Sequence, residues 1–286
     1  MSCWSDFMPD TFLEWSIALL EEIEASPEKT EWCRKYSVYA ANPGQDELSR
    51  SLHTFMEQAY KNGLVITNYR QVIQRYSLDE SAIANADSSW LEEQPYLPTL
   101  ACVAYHFRRD HFSEGFLISE SIASGAMLRM LQHLKSKSHG TGVATTLETL
   151  HQFACQCIPD APGVYWVLAP EGIPIQFSST APNHAAPLYP VDTLTQKYAE
   201  CQDKQILYIG KADGKKGLRQ RLQQYMRYGW NEAVNHKGGR AIWQIQDFGM
   251  LMLTYEPCSS SAAREHQLLH DYRTINGCYP LANWRG

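Results

Sequence analysis

Between Ile206 and Tyr225 the chain reads ILYIGKADGKKGLRQRLQQY. Ile206 to Ile209 is a short β-favouring run ended by Gly210. A turn containing Gly214, Lys215, Lys216 and Gly217 follows. Leu218, Leu222 and Tyr225 then recur on one face of a helix that runs to about Tyr228. A strand, a cationic turn and an amphipathic helix in so short a span restrict the architecture. The helix must fold back and bury its apolar stripe against a sheet containing the strand. Arg221 flanks that stripe, so its stem packs while its guanidinium reaches a shared cleft. Arg219, Gln220 and Arg227 fall toward solvent. Gly210 permits close approach of backbone or phosphate after the strand. Gly214 and Gly217 shape the turn, and the helix N-terminus behind it can face phosphate. This is not a nucleotide P-loop, because G-x-x-x-x-G-K-[ST] is absent.

The rest of the second half supplies partners for this unit. Gly163 to Leu168, GVYWVL, is dense in aromatic and β-branched residues and predicts a strand; Met250 to Tyr255 predicts another. Ala241 to Gln246 fits a strand or a short helix. Ser259 to Ser261 offers capping hydroxyls for a helix from about Ala262 to Tyr272, with Glu265, Leu268, Leu269 and Tyr272 on its inward side. A proline-rich insertion at about 170–204 separates the first two strands, with a helical turn expected at Leu194 to Tyr198.

The first half carries helical rather than strand periodicity. Helices are expected over Thr11–Glu24, Glu28–Tyr36, Asp46–Lys61, Thr67–Tyr76, Leu78–Ala84, from Thr99 through Phe107, and over Ser119–Lys135. Pro95 and Pro98 interrupt the chain before the sixth of these. The charges of Arg108 to Gly115 cap helix ends or pair internally; a catalytic role has less support, because no nucleophile–base pair or metal-ligand spacing accompanies them. GLV-x-x-x-Y at 63–69 followed by R-x-x-x-F-x-E-G at 108–115 resembles a little-characterised helical domain of bacterial proteins and carries no site residues. The expected fold class is α+β. Residues 1–137 form an acidic all-helical domain. Residues 138–162 form a linker and a short helix, Leu147 to Cys155. Residues 163–286 form a small antiparallel sheet flanked by helices.

Net charge is −6, but unevenly spread. Residues 1–150 hold 12 Lys and Arg against 20 Asp and Glu, whereas 204–240 hold nine against two. Local charge sets where a polyanion docks, so the basic segment points to an anionic partner. No apolar run is long enough to span a bilayer, and MSCWSDFMPD lacks a signal-peptide layout. A cytoplasmic protein with no membrane association is expected. The eight cysteines are scattered, and Cys155 with Cys157 lacks a partner pair at zinc-site spacing.

The ordered blocks GVY, LYIGKA, L-x-x-RL-x-x-Y, a helix with an inward Glu, and a C-terminal Asn resemble the GIY-YIG nuclease family over about 163–286. The resemblance implies a metal-dependent DNA endonuclease that hydrolyses phosphodiester bonds. It implies catalytic roles for Tyr165, Tyr208, Arg221, Glu265 and Asn283, with Glu265 binding one Mg²⁺ or Mn²⁺. Lys211 after the second motif, and HKGGRAIWQI at 236–245, are similar to the restriction-type branch, so restriction or phage defence is the expected setting. The alternatives are repair or mobile-element transfer, and a non-catalytic nucleic-acid-binding module of the same fold. Two departures stand out. Tyr165 and Tyr208 are 43 positions apart, where the family uses a short hairpin, and the C-terminal asparagine is shifted into YPLANW.

The chemistry these residues offer is specific. Glu265 is a hard oxygen ligand. Arg221 presents a planar fork for phosphate oxygens, and Lys211 adds positive potential. A tyrosine titrates near pH ~10 and is a poor base unless neighbouring cations favour its phenolate; Tyr165 is the expected base and Tyr208 its partner in positioning water. The structural alternative is that both are core aromatics. Asn283 orients backbone or a phosphate oxygen, or packs the C-terminus. Substrate contacts are expected from Gly210, Lys215, Lys216, Arg219, Arg227, His236, Lys237 and Arg240, with His236 touching phosphate or sitting in a surface loop. The acidic first domain is expected to bind a regulatory protein or self-associate.

Overall fold

A computed structural model describes residues 9–38, 46–110, 116–137, 144–184, 187–214, 216–232, 236 and 238–284. The chain divides into two compact units, Met1–Val143 and Ala144–Gly286.

The described residues of the first unit are helical: α1 Pro9–Glu24, α2 Pro27–Lys35, α3 Glu47–Lys61, α4 Tyr69–Arg75, α5 Glu80–Asn85, α6 Ser88–Glu92, α7 Tyr96–Arg109, α8 Phe116–Ala123 and α9 Ala126–Lys137. Short polar residues start several of them. Ser26 accepts from the Lys29 amide, Asp46 from Ser49, and Asp79 from Ser81 and Ala82. Helix α7 is the centre of this unit, buried continuously from Tyr96 to Phe107, with α4, α8 and α9 packed around it. It begins before the predicted Thr99, and Pro98 lies inside its first turn, where a missing N–H costs no helical bond.

The single helix predicted over Ser119–Lys135 is two. Ser124 and Gly125 break it, and Gly125 is left-handed at φ +73°. Arg129 ties the break to α5, donating to the Asn85 and Ala86 carbonyls, each at 2.9 Å. Within the Arg108–Gly115 group, buried Asp110 accepts from the Leu117 and Ile118 amides at the start of α8, and Arg109 pairs with Glu80. These are the capping and pairing roles expected of the group. His111 to Gly115 lie outside the described residues.

The second unit is built on a four-stranded antiparallel sheet in the order β1-β4-β2-β3, with β1 Thr145–Thr146, β2 Gly163–Leu168, β3 Ile206–Ala212 and β4 Met252–Pro257. The small antiparallel sheet flanked by helices is thus the observed architecture of this half. Helix α10 is Leu147–Gln152, α11 Val191–Glu200, α12 Gly217–Gly229 and α13 Ser261–Asn276. Strand alternation divides the core in two. Tyr165, Val167 and Tyr208 share a cluster with Leu218, Leu222 and Tyr225 of α12, while Trp166 and Ile209 pack with Leu269 and Tyr272 of α13. The two helices therefore cover opposite faces of the sheet.

Four local expectations are changed or refined. Strand β3 does not stop at Gly210, because Gly210 pairs with Tyr165 and Lys211 with Val164. Arg240–Gln244 is a 3-10 helix. Much of the predicted linker belongs to the second unit: Thr145 and Thr146 pair with β4, and Leu147 and Leu150 are buried in its core. Within the 170–204 insertion the expected helical turn at Leu194 to Tyr198 is the longer helix α11. Leu194, Ala181 and Cys201 are buried, and Phe177 bridges to Ile245.

Candidate active site

Strand β3 is last in the sheet order, so its outer side lacks a full partner strand. The C-terminal segment covers part of that side. Asn283 Oδ1 accepts from the Ile209 amide at 2.9 Å and Asn283 Nδ2 donates to the Ile209 carbonyl at 2.8 Å, while the Ala282 amide donates to Leu207. Asn283 thereby imitates a strand residue and holds β3 between Tyr208 and Gly210. Of the roles expected for it, orienting backbone is the one its contacts perform.

Inward of this edge, three tyrosines from three elements meet. The ring centroids of Tyr165 and Tyr208 lie 5.9 Å apart, those of Tyr165 and Tyr225 6.2 Å, and those of Tyr208 and Tyr225 6.0 Å. The long insertion is no obstacle to this meeting, because β2 and β3 pair as neighbours whatever the length between them. The Tyr208 hydroxyl lies against the bare backbone of Gly238, and a methyl there would also lie 3.6 Å from Arg221 Nη2. Tyr225 donates to the Gly239 carbonyl at 3.0 Å. The Gly238-Gly239 pair thus lets a loop close over the hydroxyl ends of two of the three rings.

Arg221 is half-buried beside this cluster, and Glu265 reaches toward it from α13. Lys211 Nζ lies 3.4 Å from Glu265 Oε2. Burial raises the Glu265 carboxyl above its ordinary value against the opposing pull of Lys211 and Arg221, while Asp213 adds to the rise. A cleft of about 320 Å³ opens alongside, lined by Lys211, Asp213, Gly214, Gln220, Arg221 and Gln224. The geometry therefore brings together Tyr165, Tyr208, Lys211, Arg221 and Glu265, with Gly210 beneath Tyr165.

The tyrosines depart from the expected phenolate. Burial raises the Tyr165 hydroxyl above its ordinary value, and it holds Tyr208 well above, with Tyr165 adding to that rise; Arg221 opposes both shifts without cancelling them. In this environment both are neutral phenols at physiological pH. His236 departs too. It is buried, packed 4.8 Å from the Tyr225 ring, and held as neutral imidazole at about 3 by burial and by Arg221. It is neither a surface-loop residue nor a phosphate contact as it stands.

Several expected substrate contacts are engaged elsewhere. Arg219 pairs with Asp160 at 2.9 Å and donates to the Ile158 carbonyl. Arg227 pairs with Glu232, and Arg240 lies 5.7 Å over the Tyr189 ring. The N-terminus of α12 is occupied as well. The Leu218 amide donates to Ala161 O at 2.8 Å and the Arg219 amide to Pro159 O at 3.3 Å, so these donors do not face a phosphate. Lys216 is exposed at the N-cap of α12. Lys215 and Lys237 lie outside the described residues.

Among the described residues, no group of three or more His, Cys, Asp or Glu side chains could hold a metal ion. The donor chemistry at Glu265 fits a single hard ion held by one protein carboxylate, not a closed cage. No helix among the described residues is long and apolar enough to cross a membrane. Sequence reading missed the part played by Tyr225, Gly238 and Gln224. Tyr225 and Gln224 stand one turn and just under one turn beyond Arg221, a spacing that puts them beside it, and the doubled glycine at 238–239 was a visible sign of close packing. The chain matches no protein-family model, no curated protein and no solved structure.

Proposed function

We propose that this chain is a divalent-metal-dependent endonuclease hydrolysing phosphodiester bonds in DNA. The observation that supports this best is the convergence of Arg221, Glu265, Lys211, Tyr165 and Tyr208, drawn from four separated elements, at one sheet edge beside a cleft. The nine basic residues against two acidic ones over 204–240 favour a polyanionic substrate.

Arg221 binds the scissile phosphate and stabilises the charge that develops on its oxygens. Lys211 holds the Glu265 carboxylate in place and adds positive potential on the same side. Glu265 is the residue that would hold Mg²⁺ or Mn²⁺, and such an ion supplies Lewis acidity toward a phosphate oxygen. Tyr208, as a neutral phenol, donates a hydrogen bond that orients water or phosphate rather than removing a proton outright, while Tyr165, buried behind it, positions the Tyr208 ring. Gln220 and Gln224 supply neutral polar contacts along the cleft. Asn283 keeps β3 in register so that Tyr208 and Lys211 project correctly.

The restriction-type features, Lys211 after the second motif and the 236–245 segment, favour restriction or phage defence as the biological setting. The acidic first unit binds a regulatory protein or self-associates. The test is cleavage of supercoiled, linear and branched DNA and of RNA with Mg²⁺ or Mn²⁺, with Arg221→Ala and Glu265→Ala as controls. Metal-dependent cutting of DNA that both substitutions abolish, with binding retained, supports the proposal. Full activity in Glu265→Ala defeats the metal assignment, and binding with no cutting under any condition returns the chain to a non-catalytic module.

A further inference from the structure

The second unit contains a pair of thiols that the site above does not use. Cys201 ends α11, within the insertion, and Cys278 follows Gly277, the left-handed residue that ends α13. Cys278 Sγ lies 3.5 Å from Cys201 Sγ and donates to it, while the Cys201 thiol donates to the Lys197 carbonyl. We propose that Cys201 and Cys278 are a reversible thiol–disulfide pair that staples α11 to the end of α13.

Three features carry this. The sulfurs are already in contact, and a bond needs them to close only to about 2.05 Å. Their exposures differ: Cys201 is buried and Cys278 is half-buried, so an oxidant reaches Cys278 first and Cys201 resolves it. Both thiols sit where helices end. Lys197 and Lys204 lie close enough to favour a Cys201 thiolate, although burial and Cys278 push that thiol up to about 11.

The chemistry balances with hydrogen peroxide as oxidant. The Cys278 thiolate sulfur attacks one peroxide oxygen; the O–O bond breaks and hydroxide leaves, to be protonated to water. The Cys201 thiolate then attacks the resulting sulfenic sulfur. The S–O bond breaks, the S–S bond forms, and a second water departs. Two thiols lose two electrons in total and one peroxide becomes two waters. A dithiol reductant reverses the bond by exchange.

The closed loop from 201 to 278 contains Tyr208, Lys211, Arg221 and Glu265. Oxidation would therefore tether the ends of the segment that carries most of the candidate active site. A loop of that length restricts the unfolded chain strongly, and a rise of roughly 5 to 10 °C in the melting temperature of the oxidised protein is expected.

The full chain, reduced and then exposed to hydrogen peroxide, tests this by thiol titration and by mass spectrometry of a non-reducing digest. The expected result is loss of two of the eight thiols, one intramolecular cross-link joining the peptides of Cys201 and Cys278, and full recovery on dithiothreitol. Cys278→Ser should abolish the cross-link and the melting shift together. A dominant cross-link between other cysteines, or conversion of Cys278 to sulfinic or sulfonic acid without a cross-link, overturns the proposal. The wild-type digest decides the matter even where a serine variant fails to fold.

Discussion

Tyr165 on β2 stands directly opposite Gly210 on β3, and its hydroxyl oxygen would lie 2.6 Å from a methyl added at position 210. The phenol occupies the space a side chain would take. Gly210→Ala should therefore push Tyr165 out of its place, costing about 1–3 kcal/mol of stability, as overpacking does, and abolishing cleavage. Urea unfolding and a plasmid-nicking assay on the same preparation check both outcomes.

The Tyr165 hydroxyl is wholly buried and makes no hydrogen bond of normal geometry among the described residues. The hydroxyl lies beside Tyr208 and Arg221 without a well-formed bond, so Tyr165→Phe should change stability by no more than about 1 kcal/mol. If the hydroxyl serves the reaction, cleavage falls in the same variant. Retained activity would leave Tyr165 a core aromatic only.

Arg221 on α12 and Glu265 on α13 are both half-buried. Arg221→Lys keeps the charge but loses the planar fork, and cleavage should drop by about 10²–10³-fold with DNA binding nearly retained. Glu265→Gln keeps the shape, leaves Lys211 without its carboxylate, and should remove metal-dependent cutting. Single-turnover rates against metal concentration separate the two effects. Burial raises the Glu265 carboxyl above its ordinary value in the metal-free protein, and a bound divalent ion opposes that rise, so added metal should move the acid limb of the wild-type rate profile to lower pH.

The Asn283 amide makes two bonds to the backbone of Ile209. Asn283→Ala strands both of those backbone groups at the sheet edge and should cost about 1–3 kcal/mol. Asn283→Asp keeps the acceptor but sets a buried carboxylate oxygen against the Ile209 carbonyl, and should cost at least as much. Amide exchange at Ile209 should speed up in both variants, which distinguishes a strand clamp from a residue needed only for phosphate.

His236 and His106 are both buried as neutral imidazoles, held at about 3 and about 4 mainly by desolvation. A depressed value in the folded state means that protonation favours the unfolded chain. The stability each preserves is complete above the ordinary histidine value of about 6.5 and is lost as pH falls toward the folded value. Between pH 6.5 and 4.5 each should remove about 2–3 kcal/mol from its own unit. Denaturant midpoints across that range check this, and His236→Gln and His106→Gln should each flatten the slope.

Residue spacing and type alone were enough to place many of the local elements. Helical spacing located α1, α3, α12 and α13, and β-branched and aromatic density located β2 and β4, because periodicity depends only on which residues share a face. Tyr165, Tyr208, Arg221 and Glu265 were legible as residue types in order. Their surroundings came from the fold. Burial is set by distant segments, and it made the two tyrosines neutral phenols, made His236 a core residue, and committed Arg219 to Asp160. The insertion lengthened the chain between Tyr165 and Tyr208 without separating their strands, since pairing in a sheet depends on edges and hydrogen bonds, not on the length of chain between them. The meeting of Cys201 with Cys278 was equally invisible in one dimension, because it arises where two helices from remote stretches happen to end together.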